Sequence, residues 1–269
     1  MCRRAVDAAA LPRPGNHNRM ASPRGDNGPR REFLTAEWRY LVMLNYAVEP
    51  DWLAPWVPRG TELDQFGGVT YASLVGFRFL RTRVCGVWIP LHSDFDEVNL
   101  RFYVRRREGG ETRRGVVFVK EVVPRFAVAK VARLVFHENY VALPMWHRIM
   151  EPVSEHGRVQ AEYRWQSGGA WNTLRAECEG RPARAADGSL EQFITEHYWG
   201  YSAQPDQSCL EYEVAHDPWR IWKATAATFE GDPAALYGDR LAATLRRPPD
   251  SAFVAEGSSV TVYRGRVVS

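Results

Sequence analysis

Alternating polar and apolar residues are the main pattern of this chain, and they predict a protein rich in β-strands. The alternation is clearest in residues 94–107, where every second side chain points to the same face. One face carries Asp96, Val98, Leu100, Phe102 and Val104, and the other carries Glu97, Asn99, Arg101, Tyr103 and Arg105. This segment is therefore predicted to be a strand.

Further strands are predicted on both sides of this segment. The stretch FLTAEWRYLVMLNYAV, which begins at Phe33, is rich in aromatic and β-branched residues and favours a long strand. GGVTYASLVGFRFL is predicted as another strand, and the turn at Gly109-Gly110 lets RRGVVFVKEVV return as a partner strand. After residue 140 the predicted strands are RVQAEYRW, WNTLRAECEG, QFITEHYWGY, LEYEVAH, WRIWKA and VTVYRG.

Proline residues mark the starts of the predicted helices. Pro50 opens a short helix that Pro55 closes. Asp232 is predicted to cap a later helix that begins with Pro233 and continues to about Leu245. These positions agree with the preference of proline for the first turn of a helix.

The longest predicted helix begins at Pro124 and covers 125–136, RFAVAKVARLVF, which is apolar around most of its circumference. Its polar positions Lys130, Arg133 and His137 are spaced by three and four residues and form a single stripe. A helix of this kind packs between layers, and its stripe faces water or a polar cavity. Together, about ten strands and two or three flanking helices predict an α+β fold built on a curved or closed β-barrel.

The first 31 residues differ from the rest of the chain in composition. They are rich in Arg, Pro, Gly and Asn and lack apolar periodicity, so residues 1–31 are predicted to be a disordered basic tail, within which Met20 is an alternative start. Residues 32–269 contain no internal repeat or linker and are predicted to form one domain. The whole chain is 45% hydrophobic and 25% charged, which excludes collagen and coiled-coil proteins.

The charge distribution limits the classes of partner. The formal net charge is +3, but residues 1–31 contain seven Arg and two Asp, a local +5, so the predicted domain is near −2. A domain without excess positive charge does not favour nucleic-acid binding. No segment approaches the roughly 18 apolar residues of a membrane-spanning helix, so no membrane contact is expected.

Four cysteines bear on the compartment and on metal binding: Cys2, Cys85, Cys178 and Cys209. They show no CxxC spacing, and no apolar signal-peptide core precedes them, so the sequence predicts reduced thiols in a cytoplasmic protein. The segment HSDFDE would place His92, Asp94 and Asp96 on one strand face. Such clusters are more often polar caps at a loop-to-strand junction than metal sites, so no metal is expected.

Generic catalytic motifs are absent from the sequence: GxSxG, GxxxxGK[ST], GxGxxG and HExxH do not occur, and no cofactor is expected. Lysine is rare, with three residues against 32 Arg. An amine can lose its proton and attack a carbonyl group, whereas a guanidinium cannot. The lysines are therefore candidate nucleophiles as well as candidate surface cations: Lys120, Lys130 and Lys223.

Three stretches place ionisable residues in apolar surroundings. Lys120 and Glu121 end the apolar run GVVFV and point to opposite faces, so one of them faces the core and must pair or change its pKa. The helical stripe with Lys130 and Arg133 is the second stretch. In FITEHYWGY, His197 shares a face with Thr195 and Trp199, and Glu196 with Tyr198. For each stretch, a pocket role and a structural ion pair or solvated edge both remain open.

Several of these segments resemble the YqjF-like family of bacterial proteins. The resemblance covers about residues 33–266 and is carried by FLTAEWRYLVMLNY, VPRGTELD, SLVGFRFLRTRV, EVNLRFYVRR, GVVFVKEVVPR, VARLVFHENYVALPM, FITEHYWGY and AEGSSVTVYRG. That family in turn resembles acetoacetate decarboxylase, which implies a cone-shaped β-barrel with flanking helices and makes a homo-oligomer an expectation. The strand, short helix and turn of NYAVEPDWLAPWVPRGTELD are similar to the decarboxylase opening.

GVVFVKEVVPRFAVAK is similar to the decarboxylase segment in which a glutamate and a proline precede the lysine that forms a Schiff base. Alignment on Pro124 puts Arg125 in the place of that lysine, and counting six residues from Glu121 reaches Ala127. Neither side chain is an amine. The resemblance therefore transfers no catalytic lysine directly, and the two neighbouring lysines are the alternatives.

Two hypotheses follow. In the first, the chain is an enzyme acting on a small carbonyl or oxo-acid compound, with Lys120 or Lys130 as the amine and Glu121 as the proton carrier. The substrate-binding residues are then Arg101, Arg125, Arg133, Glu196 and His197, with Arg101 holding a substrate carboxylate. In the second, the chain binds a small molecule without catalysis in an aromatic cavity, walled by some of its ten tryptophans.

Overall fold

A closed β-barrel is the centre of the computed structural model, which describes residues 30–124, 138–151 and 157–268. The strands are β1 (Glu32–Ala47), β2 (Glu62–Leu63), β3 (Gln65–Phe66), β4 (Val69–Val84), β5 (Val87–Trp88), β6 (Phe95–Glu108), β7 (Glu111–Val123), β8 (Tyr140–Ala142), β9 (Met145–Met150), β10 (Arg158–Ser167), β11 (Ala170–Glu179), β12 (Ala183–Arg184), β13 (Trp199–Ala203), β14 (Cys209–His216), β15 (Arg220–Glu230), β16 (Ser251–Tyr263) and β17 (Arg266–Val268). The helices are α1 (Pro50–Leu53), α2 (Leu190–Thr195) and α3 (Ala234–Leu245), and a 3₁₀ turn covers Ala54–Trp56.

Seven of the described strands form the ring of the barrel. They are hydrogen-bonded in the order β1, β4, β6, β7, β13, β14 and β16, and β16 pairs with β1 to close the ring. Every pairing in the ring is antiparallel except that of β7 with β13, which makes the barrel mixed. A second antiparallel sheet, ordered β9, β10, β11 and β15, joins the ring where β15 pairs with β16.

The two faces of β6 show why the barrel forms. Val98, Leu100 and Phe102 point outward and are fully buried against the second sheet, where they share a core cluster with Tyr163 and Trp165 of β10. Residues on the opposite face point into the barrel. Burying a large apolar side chain stabilises the folded state by about 1.5–3 kcal/mol. The outward face therefore holds the barrel wall against the second sheet and leaves the inward face available for other side chains.

The parallel pairing of β7 with β13 depends on a glycine. Gly115 is paired with Trp199, and a Cβ atom at this position would lie 2.6 Å from the backbone oxygen of Trp199 and 2.6 Å from the ring of Tyr201.

We expect Gly115→Ala to lower the free energy of unfolding by about 1–3 kcal/mol, because the backbone oxygen of Trp199 cannot move aside without disturbing the strand pairing. Urea unfolding measures this loss. The control is Gly110→Ala in the β6–β7 turn, where a Cβ meets no atom and only the φ of 83° opposes the change. A loss no larger than that of the control contradicts the prediction.

The predicted α+β barrel is confirmed, and most predicted strands lie where the alternation places them. The prediction of one strand over QFITEHYWGY is wrong, because this segment forms α2 and then β13. The Ser189 hydroxyl accepts a hydrogen bond from the Gln192 backbone N–H at 3.2 Å, and Glu191 lies in the first turn. This local capping outweighs the strand preference of the residues that follow.

The other helix predictions differ in outcome. The short helix at Pro50 is confirmed, and the helix predicted after Pro233 begins at Ala234. The cap position itself is Pro233 rather than the predicted Asp232, and the helix is kinked at Gly238. Asp232 lies one residue earlier, where its carboxylate accepts a hydrogen bond from the Ala234 backbone N–H at 3.2 Å. The helix predicted from Pro124 over 125–136 lies outside the described residues.

None of the helices in the described part of the chain has the length and apolar character needed to cross a membrane. The described cysteines are free thiols: Cys178 and Cys209 are buried, and Cys85 is exposed. From Arg31 onward, the described residues belong to one compact unit.

Candidate functional site

The interior of the barrel contains a cavity of about 220 Å³. Each of the seven ring strands contributes to its lining, and so does the segment from α2 to β13. Most of the wall is aromatic or aliphatic, and its largest apolar members include Trp38, Phe77, Phe79, Phe95, Phe118 and Trp219. The wall also carries a small number of ionisable groups. A largely apolar cavity with a few polar groups is the usual form of a small-molecule site.

Strand pairing brings the polar groups together. Glu97, Asn99 and Arg101 occupy successive inward positions of β6. Asn99 is paired with Glu121 of β7, and Glu121 is paired in turn with Tyr140 of β8. Neighbouring strands are about 4.8 Å apart, so these side chains form one polar area on the wall.

Three glutamates in this area, Glu97, Glu121 and Glu138, are called here the carboxyl cluster. Asn99 Nδ2 donates a hydrogen bond to Glu97 Oε1 at 2.9 Å, and the Tyr140 hydroxyl donates to Glu97 Oε2 at 3.2 Å. The Tyr212 hydroxyl donates to Glu138 Oε1. Oε2 of Glu121 is buried without a hydrogen-bond partner in the described part of the chain. All three carboxyl groups are buried and line the cavity.

Burial changes the acidity of the cluster. It raises the pKa of Glu97 to about 7, although hydrogen bonds from Asn99 and Tyr140 and the charge of Arg101 act in the opposite direction. Burial also raises the pKa of Glu138 to about 8. The pKa of Glu121 lies well above its usual range because of burial and the nearby charges of Glu138 and Glu97. At neutral pH the cluster therefore contains both carboxylic acid and carboxylate, which suits it to proton transfer.

Arg101 is a buried cation in the same cavity, with 8% of its surface exposed. Its Nη2 lies 3.5 Å from the Ile194 carbonyl oxygen and 4.0 Å from Met43 Sδ, and its Nε has no hydrogen-bond partner among the residues described. Across the described ranges, no carboxylate lies within 4.0 Å of its guanidinium group. A buried guanidinium is costly without an anionic partner, so this position suits the carboxylate of a ligand.

His197 lines the cavity near Arg101 and contacts Asp64. Its Nε2 lies 3.5 Å from Asp64 Oδ2, which also accepts a hydrogen bond from Arg114 Nε at 2.6 Å. Burial lowers the pKa of His197 to about 4, so its imidazole is neutral at pH 7. Burial alone would raise the pKa of Asp64, but the contact with His197 and the hydrogen bond and charge of Arg114 outweigh it and lower that pKa. Neutral His197 can donate or accept a hydrogen bond toward a ligand.

The structure brings three of the predicted site residues into one cavity: Arg101, Glu121 and His197. Two others lie outside the cavity lining. The Lys120 amine donates to Asn139 Oδ1 at 3.0 Å, and the Glu196 carboxylate accepts from Gln192 Nε2 at 3.3 Å. The remaining predicted site residues lie outside the described residues: Arg125, Lys130 and Arg133.

The polar residues of HSDFDE have separate partners. Asp94 accepts a hydrogen bond from the Arg81 backbone N–H at 2.7 Å, and Asp96 lies 2.8 Å from His147 Nδ1. His92 lines the cavity instead. Over the described ranges, no group of three or more His, Cys, Asp or Glu side chains could hold a metal ion.

Sequence reasoning misses part of the site. Glu97 could have been found, because it shares the inward face of β6 with Arg101. The interior positions of Glu138, Tyr140 and Tyr212 depend on which strands pair across the barrel. The sequence contains no local signal for that pairing.

Comparison with known proteins agrees with this architecture. The protein-family model DUF2071, described as an uncharacterized conserved protein (COG2071), matches residues 35–259 of this sequence. No relative was found among the curated proteins.

Several solved structures share the fold. An acetoacetate decarboxylase from Legionella pneumophila subsp. pneumophila str. Philadelphia 1 is similar with a TM-score of 0.62 and 15% identity, over 93% of each chain. The enduracididine biosynthesis enzyme MppR complexed with pyruvate has a TM-score of 0.61 and 16% identity, over 95% of this chain and 98% of MppR. An acetoacetate decarboxylase-like enzyme from Sphingomonas wittichii RW1 has a TM-score of 0.58 and 13% identity, over 88% of this chain and 93% of that enzyme. These likenesses confirm the predicted fold.

Proposed function

The chain belongs to DUF2071, the family that includes the YqjF-like proteins, and we propose that it is an enzyme that transfers protons to and from a small oxo acid inside its barrel. The main support is Arg101, a buried guanidinium that lines the cavity without a carboxylate partner in the described part of the chain. Such a group pairs well with a ligand carboxylate. The pyruvate complex of MppR, a protein with the same fold, agrees with this class of ligand.

The carboxyl cluster supplies the chemistry in this proposal. Asn99 and Glu97 are the next inward positions on β6 after Arg101, and two residues along a strand span about 7 Å. A carboxylate held at Arg101 therefore places the adjacent carbonyl group beside the cluster. Glu121, in its protonated form, donates a proton to the carbonyl oxygen while ionised Glu97 removes a proton from the neighbouring carbon. The product is the enol, and the cluster gains one proton as it gives one up.

A lysine amine is the second element of the enzyme hypothesis. Lys120 and Lys223 contact Asn139 and Glu191, and neither lines the cavity. Lys130 remains a predicted nucleophile outside the described residues. The positions of Lys120 and Lys223 are also the observation that favours the second candidate function, a non-catalytic module that binds the same oxo acid.

Deuterium exchange tests the enzyme proposal. We expect the protein to replace the hydrogens next to the carbonyl of pyruvate or 2-oxobutanoate with deuterium in D₂O, faster than buffer alone, as followed by NMR. Proton transfer by a positioned side chain accounts for roughly 10²–10⁴-fold of such a rate. If tryptophan fluorescence detects binding but exchange stays at the rate of buffer, the module without catalysis is correct and the enzyme proposal is wrong.

Borohydride reduction then tests for the amine. A Schiff base at Lys130 predicts a stable mass adduct that disappears in Lys130→Ala. The matched control is Lys223→Ala, because the Lys223 side chain is 82% exposed and lies outside the cavity lining. Exchange without an adduct assigns the reaction to the carboxyl cluster alone. An adduct that survives in Lys130→Ala excludes this lysine.

A further inference from the structure

The cavity changes character along its length. On the inward face of β6 the order is Arg101, Asn99, Glu97 and then Phe95. Phe95 stacks on Phe79 of β4 with ring centroids 4.6 Å apart and an interplanar angle of 14°. The ionic groups thus occupy one end of this series, and aromatic rings occupy the other.

The cavity lining along β6 is long compared with a three-carbon acid. Arg101 and Phe95 are six residues apart on one strand, which corresponds to about 20 Å. Beyond Phe95 the lining consists mainly of aliphatic and aromatic side chains from the ends of three ring strands, with Thr82 and His92 as its polar members. Leu34 of β1 is paired with both Val84 and Val262, and all three residues line the cavity.

An apolar hairpin continues this lining toward solvent. The hairpin, residues 85–91, connects β4 to the segment before β6 and contains β5. Ile89 lines the cavity and is 39% exposed, whereas Val87, Trp88 and Leu91 are 63%, 54% and 81% exposed. Exposed apolar residues in one place mark a contact site for an apolar group.

We propose that the ligand is amphipathic: an oxo acid whose carboxylate pairs with Arg101 and whose alkyl or aryl chain extends past Phe79 and Phe95 toward Ile89. The carboxylate end of this proposal rests on the proposed function. The path proposed for the alkyl or aryl chain of the ligand rests on the apolar lining alone. A short acid such as pyruvate leaves the aromatic part of the cavity unfilled, and a longer chain buries that surface.

A homologous series of ligands tests whether the alkyl chain of the ligand lies along the apolar lining. Dissociation constants are measured by calorimetry for 2-oxo acids from pyruvate to 2-oxooctadecanoate and for phenylpyruvate. Each added methylene is expected to strengthen binding about fourfold, as the burial of one CH₂ group predicts. The gain should stop once the chain passes the hairpin. Affinities that stay constant or fall with chain length overturn the proposal.

A variant at the hairpin adds a second readout. Ile89→Gln is expected to weaken binding of 2-oxooctadecanoate at least fourfold and to leave pyruvate unchanged, because only a chain of about 20 Å or more reaches residue 89. The matched control is Val267→Gln, a change at a residue that is 64% exposed and outside the lining. An equal loss for both acids in Ile89→Gln contradicts the proposed path of the chain.

Neutral ketones separate this proposal from the proposed function. Alkan-2-ones from butan-2-one to decan-2-one carry the chain and the carbonyl group without the carboxylate. Binding that strengthens with length in both series supports the apolar path, and equal affinities for acids and ketones then refute the role of Arg101. If pyruvate binding depends on Arg101 but neither series gains with length, the apolar path is refuted and the oxo-acid function remains.

Discussion

Arg101→Met is expected to weaken the binding of an oxo acid by roughly 100-fold or more, because the substitution removes the only charge proposed to hold the ligand carboxylate. Methionine keeps a similar length and an apolar stem, so the shape of the cavity changes little. Isothermal titration calorimetry with pyruvate and 2-oxooctanoate measures the loss.

The same substitution is expected to stabilise the fold. The guanidinium of Arg101 is buried with no carboxylate within 4.0 Å in the described residues, and its compensation is limited to the more distant charge of Glu97 and the Tyr103 ring, whose centroid is 5.9 Å away. Removing this weakly compensated charge should raise the free energy of unfolding by about 1–3 kcal/mol. Urea unfolding without ligand tests this direction. Arg105→Met is the control, since Arg105 lies on the same strand but pairs with Glu62 at 2.8 Å and is outside the lining. A destabilised Arg101→Met that still binds the acid would show a purely structural role.

Glu121→Gln is expected to slow the exchange of hydrogen next to the substrate carbonyl by roughly 10²–10⁴-fold. Glutamine retains the size of a protonated glutamate and can still donate a hydrogen bond, but it has no proton to transfer. Binding of the oxo acid, which depends on Arg101, should change much less. Full exchange in this variant would remove Glu121 from the proposed reaction.

Although Glu121→Gln is expected to slow the exchange reaction, it should raise the free energy of unfolding, and the size of this gain depends on pH. The carboxyl cluster ionises near pH 4.5 in the unfolded chain, whereas burial raises the folded-state pKa of Glu97 to about 7 and of Glu138 to about 8. The folded state therefore binds more protons between these values, and its stability falls as the pH rises through 7 and 8. Since burial also holds the pKa of Glu121 well above its usual range, removing its carboxyl group should raise the free energy of unfolding at pH 8.5 and change it little at pH 5.

Thermal unfolding between pH 6.5 and 8.5 is the suitable measurement. The pKa values of His197 and His216 are lowered to about 4 by burial, so they reduce stability only as the pH falls below about 6.5. A wild-type midpoint that does not fall across this range, or a Glu121→Gln midpoint that falls as steeply, contradicts the expected ionisation of the cluster.

The sequence predicts more of the fold than of the site. The alternation in residues 94–107 identifies both faces of β6, because burial on one side requires every second residue to be apolar. It does not reveal which face lines a cavity. The wrong strand over α2 shows the limit of that pattern, since a single cap at Ser189 decided the local structure.

The site is only partly predictable for a related reason. Glu121 and Arg101 stand out locally as charges beside apolar strands, and the cavity contains both. Tyr212 and Glu138 are 74 residues apart, and only the closed ring brings their hydroxyl and carboxyl groups into contact. Lys120 is next to Glu121 in sequence but does not line the cavity, and its amine donates a hydrogen bond to Asn139 instead. Closeness in sequence therefore does not place two residues in the same site.

The division of β6 into two faces has a consequence for how such proteins can change. Substitutions at Val98, Leu100 or Phe102 disturb the wall of the barrel, whereas Glu97, Asn99 and Arg101 carry charge and hydrogen-bonding groups that the wall does not need for support. Single amino-acid substitutions at inward positions can therefore change which ligand binds while the wall of the barrel stays the same. Descendants of one ancestral barrel can diverge in chemistry long before their architecture diverges.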